Sequence, residues 1–207
     1  MTAKKTIYII RHGETDFNKN GIIQGSGIDS SLNDTGRKQA EQFYKAYHHI
    51  PFDNIYTSEL KRTQESVASF IETGKKIEPV REFNEINWGV FEGLKGTPES
   101  RKVYLGIVND WKSGLLDRAV EGGETPNQMQ KRQRLGLQKL MQRQNEQTVL
   151  ICMHGRAMRS FLCLLTDTPL QQMDKFKHNN LCLYVLKQQD NDLFKVAEQN
   201  CSNHLWI

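Results

Sequence analysis

Two short apolar runs, Ile7-Tyr8-Ile9-Ile10 and Val149-Leu150-Ile151-Cys152-Met153, contain no charged residue. Runs of that length closed by a turn residue predict strands buried on both faces. The period then changes. Over 35–48 the residues Ala40, Phe43, Tyr44 and Tyr47 recur at helical spacing behind Asn33 or Thr35 as N-cap. Residues 54–58 predict the next strand, with Ser58 capping the helix that follows and Arg62 about one turn into it. A third short strand is predicted over 77–80. Thr125-Pro126-Asn127-Gln128 reads as a capping box with proline at the first helical position, opening a helix to about residue 144. Another amphipathic helix is predicted over 156–165. Residues 181–186 and 193–196, parted by a polar stretch, predict a hairpin at a sheet edge.

This alternation predicts an α/β fold: a mostly parallel central sheet flanked by helices on both faces, with an antiparallel edge hairpin. Residues 95–123 interrupt the pattern and carry scattered aromatics at Tyr104 and Trp111, as a lid inserted above a site would. Within it Arg101, Lys102, Lys112 and Arg118 read as a solvated face. At 207 residues the chain is long enough to bury a substantial core and is expected to form a single domain over 1–207.

Charge narrows the ligand. There are 28 Lys and Arg against 24 Asp and Glu, a net +4 without dense basic blocks, so a small anion suits the chain better than nucleic acid. The four cysteines, at 152, 163, 182 and 201, show neither Cys-x-x-Cys spacing nor a disulfide-dense pattern, which suits a reducing compartment. The run 7–10 is shorter than the core of a signal peptide, and nothing approaches the roughly 20 apolar residues of a membrane span. A soluble cytoplasmic protein with no membrane partner is expected. The sequence assigns no oligomeric state.

Both long apolar runs end in chemistry. The first stops at Arg11-His12-Gly13-Glu14-Thr15, the second at His154-Gly155. In open α/β sheets the carboxyl ends of strands are where ligands bind. Two parallel strands would each deliver a histidine to one edge. The spacing of the histidines gives no zinc motif, no carboxylate cluster reads as a magnesium site, and no P-loop or dinucleotide fingerprint is present. No metal and no cofactor are expected.

Arg11 to Thr15 with Asn18, then Gln24-Gly25, then Thr57-Ser58-Glu59-Leu60-Lys61-Arg62-Thr63, then Glu85 with Gly89-Val90-Phe91-Glu92-Gly93, and finally His154-Gly155 follow one another in order. Together they resemble the histidine phosphatase superfamily, which includes phosphoglycerate mutases and many small phosphatases. The stretch 25–32 departs from the family in being one residue longer before Asp29, with Ser31 where proline is common.

The resemblance implies a phosphoryl transfer through a covalent phosphohistidine at His12. Arg11 and Arg62 would hold the phosphate and disfavour a further positive charge on the imidazole, which must be neutral to attack. His154 would donate to the phosphoryl oxygens. Glu85 would serve as general acid toward the leaving alkoxide and then as base toward water, with an acidic to neutral optimum. Asn18, Gln24 and Gly25 would complete the phosphate pocket, although simple turn chemistry accounts for them nearly as well. The implied activity is hydrolysis of a small soluble phosphate monoester. A phosphoglycerate mutase is the rival, disfavoured because no adjacent arginine pair stands between Glu85 and His154. A non-catalytic module that binds phosphorylated ligands is the alternative of another class. Nothing in the sequence selects the substrate.

Overall fold

The computed structural model describes residues 4–206. Its centre is a six-stranded sheet built from β1 (Thr6–Arg11), β2 (Asn54–Thr57), β3 (Ile77–Pro79), β4 (Thr148–Met153), β5 (Leu183–Gln188) and β6 (Phe194–Cys201) in the order β3-β2-β4-β1-β5-β6. The first four strands are mutually parallel, β5 runs antiparallel to β1, and β6 pairs antiparallel with β5. This is the expected mostly parallel sheet with an antiparallel edge.

The two central strands show why their sequences carry no polar interruption. Along β4, Val149, Ile151 and Met153 enter one core, and Leu150 and Cys152 enter another on the opposite face. On β1, Ile7 and Ile9 go to the first core and Ile10 to the second. Alternate side chains leave opposite faces of a strand, so covering both faces makes every position apolar.

Helices supply the covers. On the first face lie α5 (Pro126–Gln142), through Met129 and Leu140, and α6 (Gly155–Leu165), through Ala157, Met158, Phe161 and Leu162. The single turn α1 (Asp16–Lys19) follows β1, and on the second face lies α2 (Asp34–Tyr47), with Phe43 fully buried and Tyr44 and Tyr47 half-buried against the same core. Asn33 is its N-cap, accepting from the Gly36 N–H, and Thr125 forms the expected capping box with Gln128. Among the described residues no helix is long and apolar enough to cross a membrane.

Two expectations are corrected. The stretch over 95–123 does more than interrupt the pattern, because it contains the 15-residue helix α4 (Pro98–Lys112), opened by a capping box between Thr97 and Ser100. Its apolar residues do not keep to one stripe: Ile107, Val108 and Trp111 are buried, but Val103 and Leu105 face solvent, which blurred the period. Ser58 does not cap the short helix α3 (Lys61–Glu65); the N-cap position falls on Leu60, which makes no side-chain capping bond. The Ser58 hydroxyl accepts from the Leu60 N–H but turns toward His154 instead.

Register then places the strand ends. Arg11 lies opposite Met153, and the His12 N–H donates to the Met153 carbonyl at 3.0 Å, so His12 and His154 occupy neighbouring positions just past the sheet. The loop after β1 is pressed against the start of α2. A Cβ added to Gly36 would lie 2.1 Å from the Glu14 carbonyl oxygen, so only glycine fits there.

Candidate active site

His12 and His154 meet with ring centroids 5.2 Å apart. Both are almost fully buried. The Nδ1 of His12 lies 2.7 Å from the Gly13 carbonyl oxygen, which can only accept, so Nδ1 carries the proton. The other nitrogen, Nε2, keeps its lone pair and has no hydrogen-bond partner among the described residues. Burial, then the charges of Arg62 and Arg11, hold the His12 pKa well below the ordinary imidazole value.

Arg62 enters from the first turn of α3 and is wholly buried. Its guanidinium donates to His154 Nδ1 at 3.2 Å, to the Ile28 carbonyl at 2.6 Å and to the Gly25 carbonyl at 3.1 Å. Burial lowers its pKa to about 10, which leaves it charged at neutral pH. Because that guanidinium can only donate, Nδ1 of His154 is the acceptor and Nε2 bears the proton, given to Ser58 Oγ at 2.8 Å. Ser58 passes the chain on to the Thr63 hydroxyl at 2.9 Å. His154, like His12, is kept neutral by burial and by Arg62.

Arg11 ends β1 with its charge almost unspent. Its one hydrogen bond among the described residues, from Nη1 to His178 Nδ1, is 3.4 Å long, and its buried Nε has no partner. His178 is depressed to about 3 by burial and by Arg11, so its ring accepts without neutralising the arginine.

Glu85 lies in the connection that follows β3 and is buried. Its Oε1 accepts from the Ile86 N–H at 2.9 Å and the Ala157 N–H at 2.8 Å, and its Oε2 from the Arg156 N–H at 3.1 Å. The donors from Arg156 and Ala157 belong to the free N-terminal turn of α6, where a carboxylate is favourably placed.

The three remaining expected residues divide. Asn18 and Gln24 line the same cavity as Arg11, His12 and Glu85, a space of about 650 Å³. Asn18 caps its own turn with Thr15 and accepts from Asn180, whose amide also donates to the His12 carbonyl at 2.9 Å. Gln24 donates to Thr15 and accepts from Ser30. Gly25 does not line the cavity. Its carbonyl receives Arg62, and a Cβ there would lie 2.5 Å from the Ile86 carbonyl oxygen.

Several cavity residues escaped the sequence reading. Arg156 and Arg159 sit three apart on α6, a spacing that puts both on one side of the helix and could have drawn notice. His178 carries no such signal, since it lies in irregular chain. Ser58 was assigned to the wrong partner. Among the described residues no group of three or more His, Cys, Asp or Glu comes together as a metal site.

Comparison with known proteins gives the fold and the family. A probable phosphatase of Schizosaccharomyces pombe is 38% identical over 90 residues, covering 44% of this chain and 42% of the relative. The fructose-2,6-bisphosphatase TIGAR B of Danio rerio is 30% identical over 159 residues, 73% of this chain and 57% of that protein. The chain therefore spans about half the length of these two relatives. Phosphoserine phosphatase 1 of Hydrogenobacter thermophilus is 27% identical, with 89% and 87% of the two chains covered. Among solved structures, Bacillus stearothermophilus YhfR superposes with a TM-score of 0.82 at 27% identity, covering 97% of this chain and 99% of that one. The mycobacterial glucosyl-3-phosphoglycerate phosphatase shares the fold with a TM-score of 0.83 at 20% identity, over 96% and 100% of the two chains. The family description "Histidine phosphatase superfamily (branch 1)" matches residues 7–201, and the chain belongs to that superfamily.

Proposed function

We propose that this chain is a phosphatase that hydrolyses a small phosphorylated metabolite in the cytosol through a phosphohistidine formed on His12. One observation carries the reading: the unprotonated Nε2 of His12 faces a cavity beside an arginine whose charge has no carboxylate partner within hydrogen-bond reach. A buried cation without an anion is costly, and a phosphate supplies what it lacks.

In the proposed reaction Nε2 forms a bond to phosphorus as the bond to the alcohol oxygen breaks. Arg11 holds the non-bridging oxygens, and Arg62 adds its charge from behind His154. Glu85 gives the departing oxygen its proton. A water then attacks the phosphohistidine, Glu85 takes the proton back, and inorganic phosphate leaves with His12 restored. His154 acts through its neighbours: its Nδ1 accepts from Arg62 and its Nε2 donates to Ser58, so it fixes the Arg62 charge beside the phosphoryl group. Asn18 and Gln24 shape the mouth of the pocket, and Gly25 acts through Arg62. The arginines supply the neutralising charge, so the scheme calls for no metal.

The substrates in the relatives' names, fructose 2,6-bisphosphate and phosphoserine, are small soluble phosphate esters and support that class here. The test is a rapid quench with a radiolabelled ester. An acid-labile, alkali-stable adduct is expected on the native chain and none on His12→Ala. Full phosphate release by His12→Ala would overturn the proposal.

A further inference from the structure

Glu85 stands on backbone that no helix or strand supports. Residues 84–88 belong to neither, so the course of the main chain there depends on the groups that grip it. One residue of α5, Arg132, reaches across to it. Its Nη1 donates to the Glu82 carbonyl at 2.8 Å and its Nη2 to the Glu85 carbonyl at 3.1 Å. The other edge of the guanidinium is taken by Glu124, which accepts from Nε at 2.7 Å and from Nη2 at 2.9 Å. Glu124 grips the same loop at a second point, because its own N–H donates to the Asn87 carbonyl at 2.8 Å.

The next residue along α5 completes the frame. Gln133 is wholly buried, and its Nε2 donates to the Ala157 carbonyl at 2.8 Å. The Ala157 N–H is one of the donors to the Glu85 carboxylate. Two adjacent side chains of α5 therefore fix Glu85 from both ends: Arg132 holds its carbonyl, and Gln133 holds the turn of α6 that receives its carboxylate.

Neither Arg132 nor Glu124 lines the cavity into which His12 faces. They line a different one, of about 580 Å³, whose lining shares only Glu85 with the first. The two side chains are only 22% and 17% exposed, and an ion pair so hidden is often no better for stability than apolar side chains of the same volume. A planar fork with donors at fixed angles gives what an apolar contact cannot, a defined position for the carbonyls it grips.

We infer that Arg132, anchored by Glu124, is a positioning residue for the proton donor: it never meets the substrate and sets where the Glu85 carboxyl stands against the departing oxygen. The inference rests on the reading of Glu85 as the acid. A misplacement of about 1 Å can cost 10²-fold in rate, so loosening the fork should slow the step that needs the proton and spare the phosphate pocket.

Two esters separate these effects. Arg132→Lys keeps the charge and loses the fork. It should lower kcat/KM on glycerol 3-phosphate about tenfold, and by less than about twofold on p-nitrophenyl phosphate, whose leaving group hardly needs a proton. The Ki of inorganic phosphate should stay within about twofold, since His12, Arg11 and Arg62 are untouched. In the Glu85→Gln chain, which has no proton to give, the same substitution should cost less than about twofold on either ester. Equal losses on the two esters, or a tenfold loss that persists in the Glu85→Gln chain, would reduce Arg132 to a structural tie and overturn the inference. Should Arg132→Lys fold poorly, Glu124→Gln reads the same ratio, with a loss of about threefold expected on the alkyl ester alone; no loss there, or an equal one on both esters, overturns the inference too. Glu85→Gln by itself separates the two proposals. If it costs the esters equally, the acid role falls and the inference with it; if it costs the alkyl ester alone while Arg132→Lys costs neither, only the inference falls.

Discussion

The floor of the cavity and its lid are built on different principles. The floor is a ladder: β1 and β4 lie in fixed register, both faces are packed, and His12 and His154 stand where the rungs end. The lid is a single capped helix, α4, held by Ile107, Val108 and Trp111 and by a stack of Trp111 on Trp88 at 5.5 Å, with Val103 and Leu105 left in solvent. A register tolerates no sliding, whereas a helix resting on one row of side chains can shift or change sequence. The proposed chemistry thus falls on the rigid part, and the adaptable one is where selectivity can vary.

That division can be broken in five measurements. Replacing His12 by alanine removes the proposed nucleophile and should lower kcat at least about 10⁴-fold, with thermal unfolding little changed; a loss of tenfold or less would move the chemistry out of the floor. Glu85→Gln should cost about 10²- to 10³-fold on an alkyl phosphate. The loss should be much smaller on p-nitrophenyl phosphate, whose leaving group hardly needs a proton. Equal losses on the two esters would remove Glu85 from the role of acid.

Stability should divide in the same way. Gly36→Ala drives a methyl group into the Glu14 carbonyl beneath the floor and should destabilise by about 1–3 kcal/mol in urea unfolding.

Acid should act on the floor as well. His12, His154 and His178 have folded pKa values below the ordinary 6.5, so below that pH the unfolded chain binds protons that the folded chain refuses. Their burial therefore costs nothing above about pH 6.5, and stability falls as the pH drops beneath it, by up to about 1.4 kcal/mol per pH unit for each histidine. Residues 95–123 contain no histidine, and exchange of α4 amides should follow only the global loss. The smallest effect belongs to the lid: Gly106 lies inside α4 with open space where a Cβ would go, so Gly106→Ala should stabilise by about 0.5–1 kcal/mol.

The two regions also differ in how far the sequence disclosed them. His12 and His154 were legible because a doubly covered strand has no polar positions, so an ionisable pair at its end stands out. The capping box at Thr125 was legible because three residue types coincide within four positions. Helix α4 has a similar cap, Thr97-Pro98-Glu99-Ser100, but its apolar residues surround the helix and gave no stripe to read. Arg156 and Arg159 were hidden for another reason: their meaning depends on Asp174, which lies in a separate segment and meets them only when the chain closes. Ser58 was misread because a serine before a helix has two possible partners, and only the fold brought the second, His154, into reach.

The position of Arg62 has a consequence for how such a protein can change over generations. One guanidinium clasps the carbonyls of Gly25 and Ile28 and the ring of His154, so the loop over 25–28, the α3 turn and the end of β4 are riveted together. Larger changes are then best tolerated on the side of the lid. Descendants can exchange their diet of metabolites while inheriting the reacting atoms unaltered.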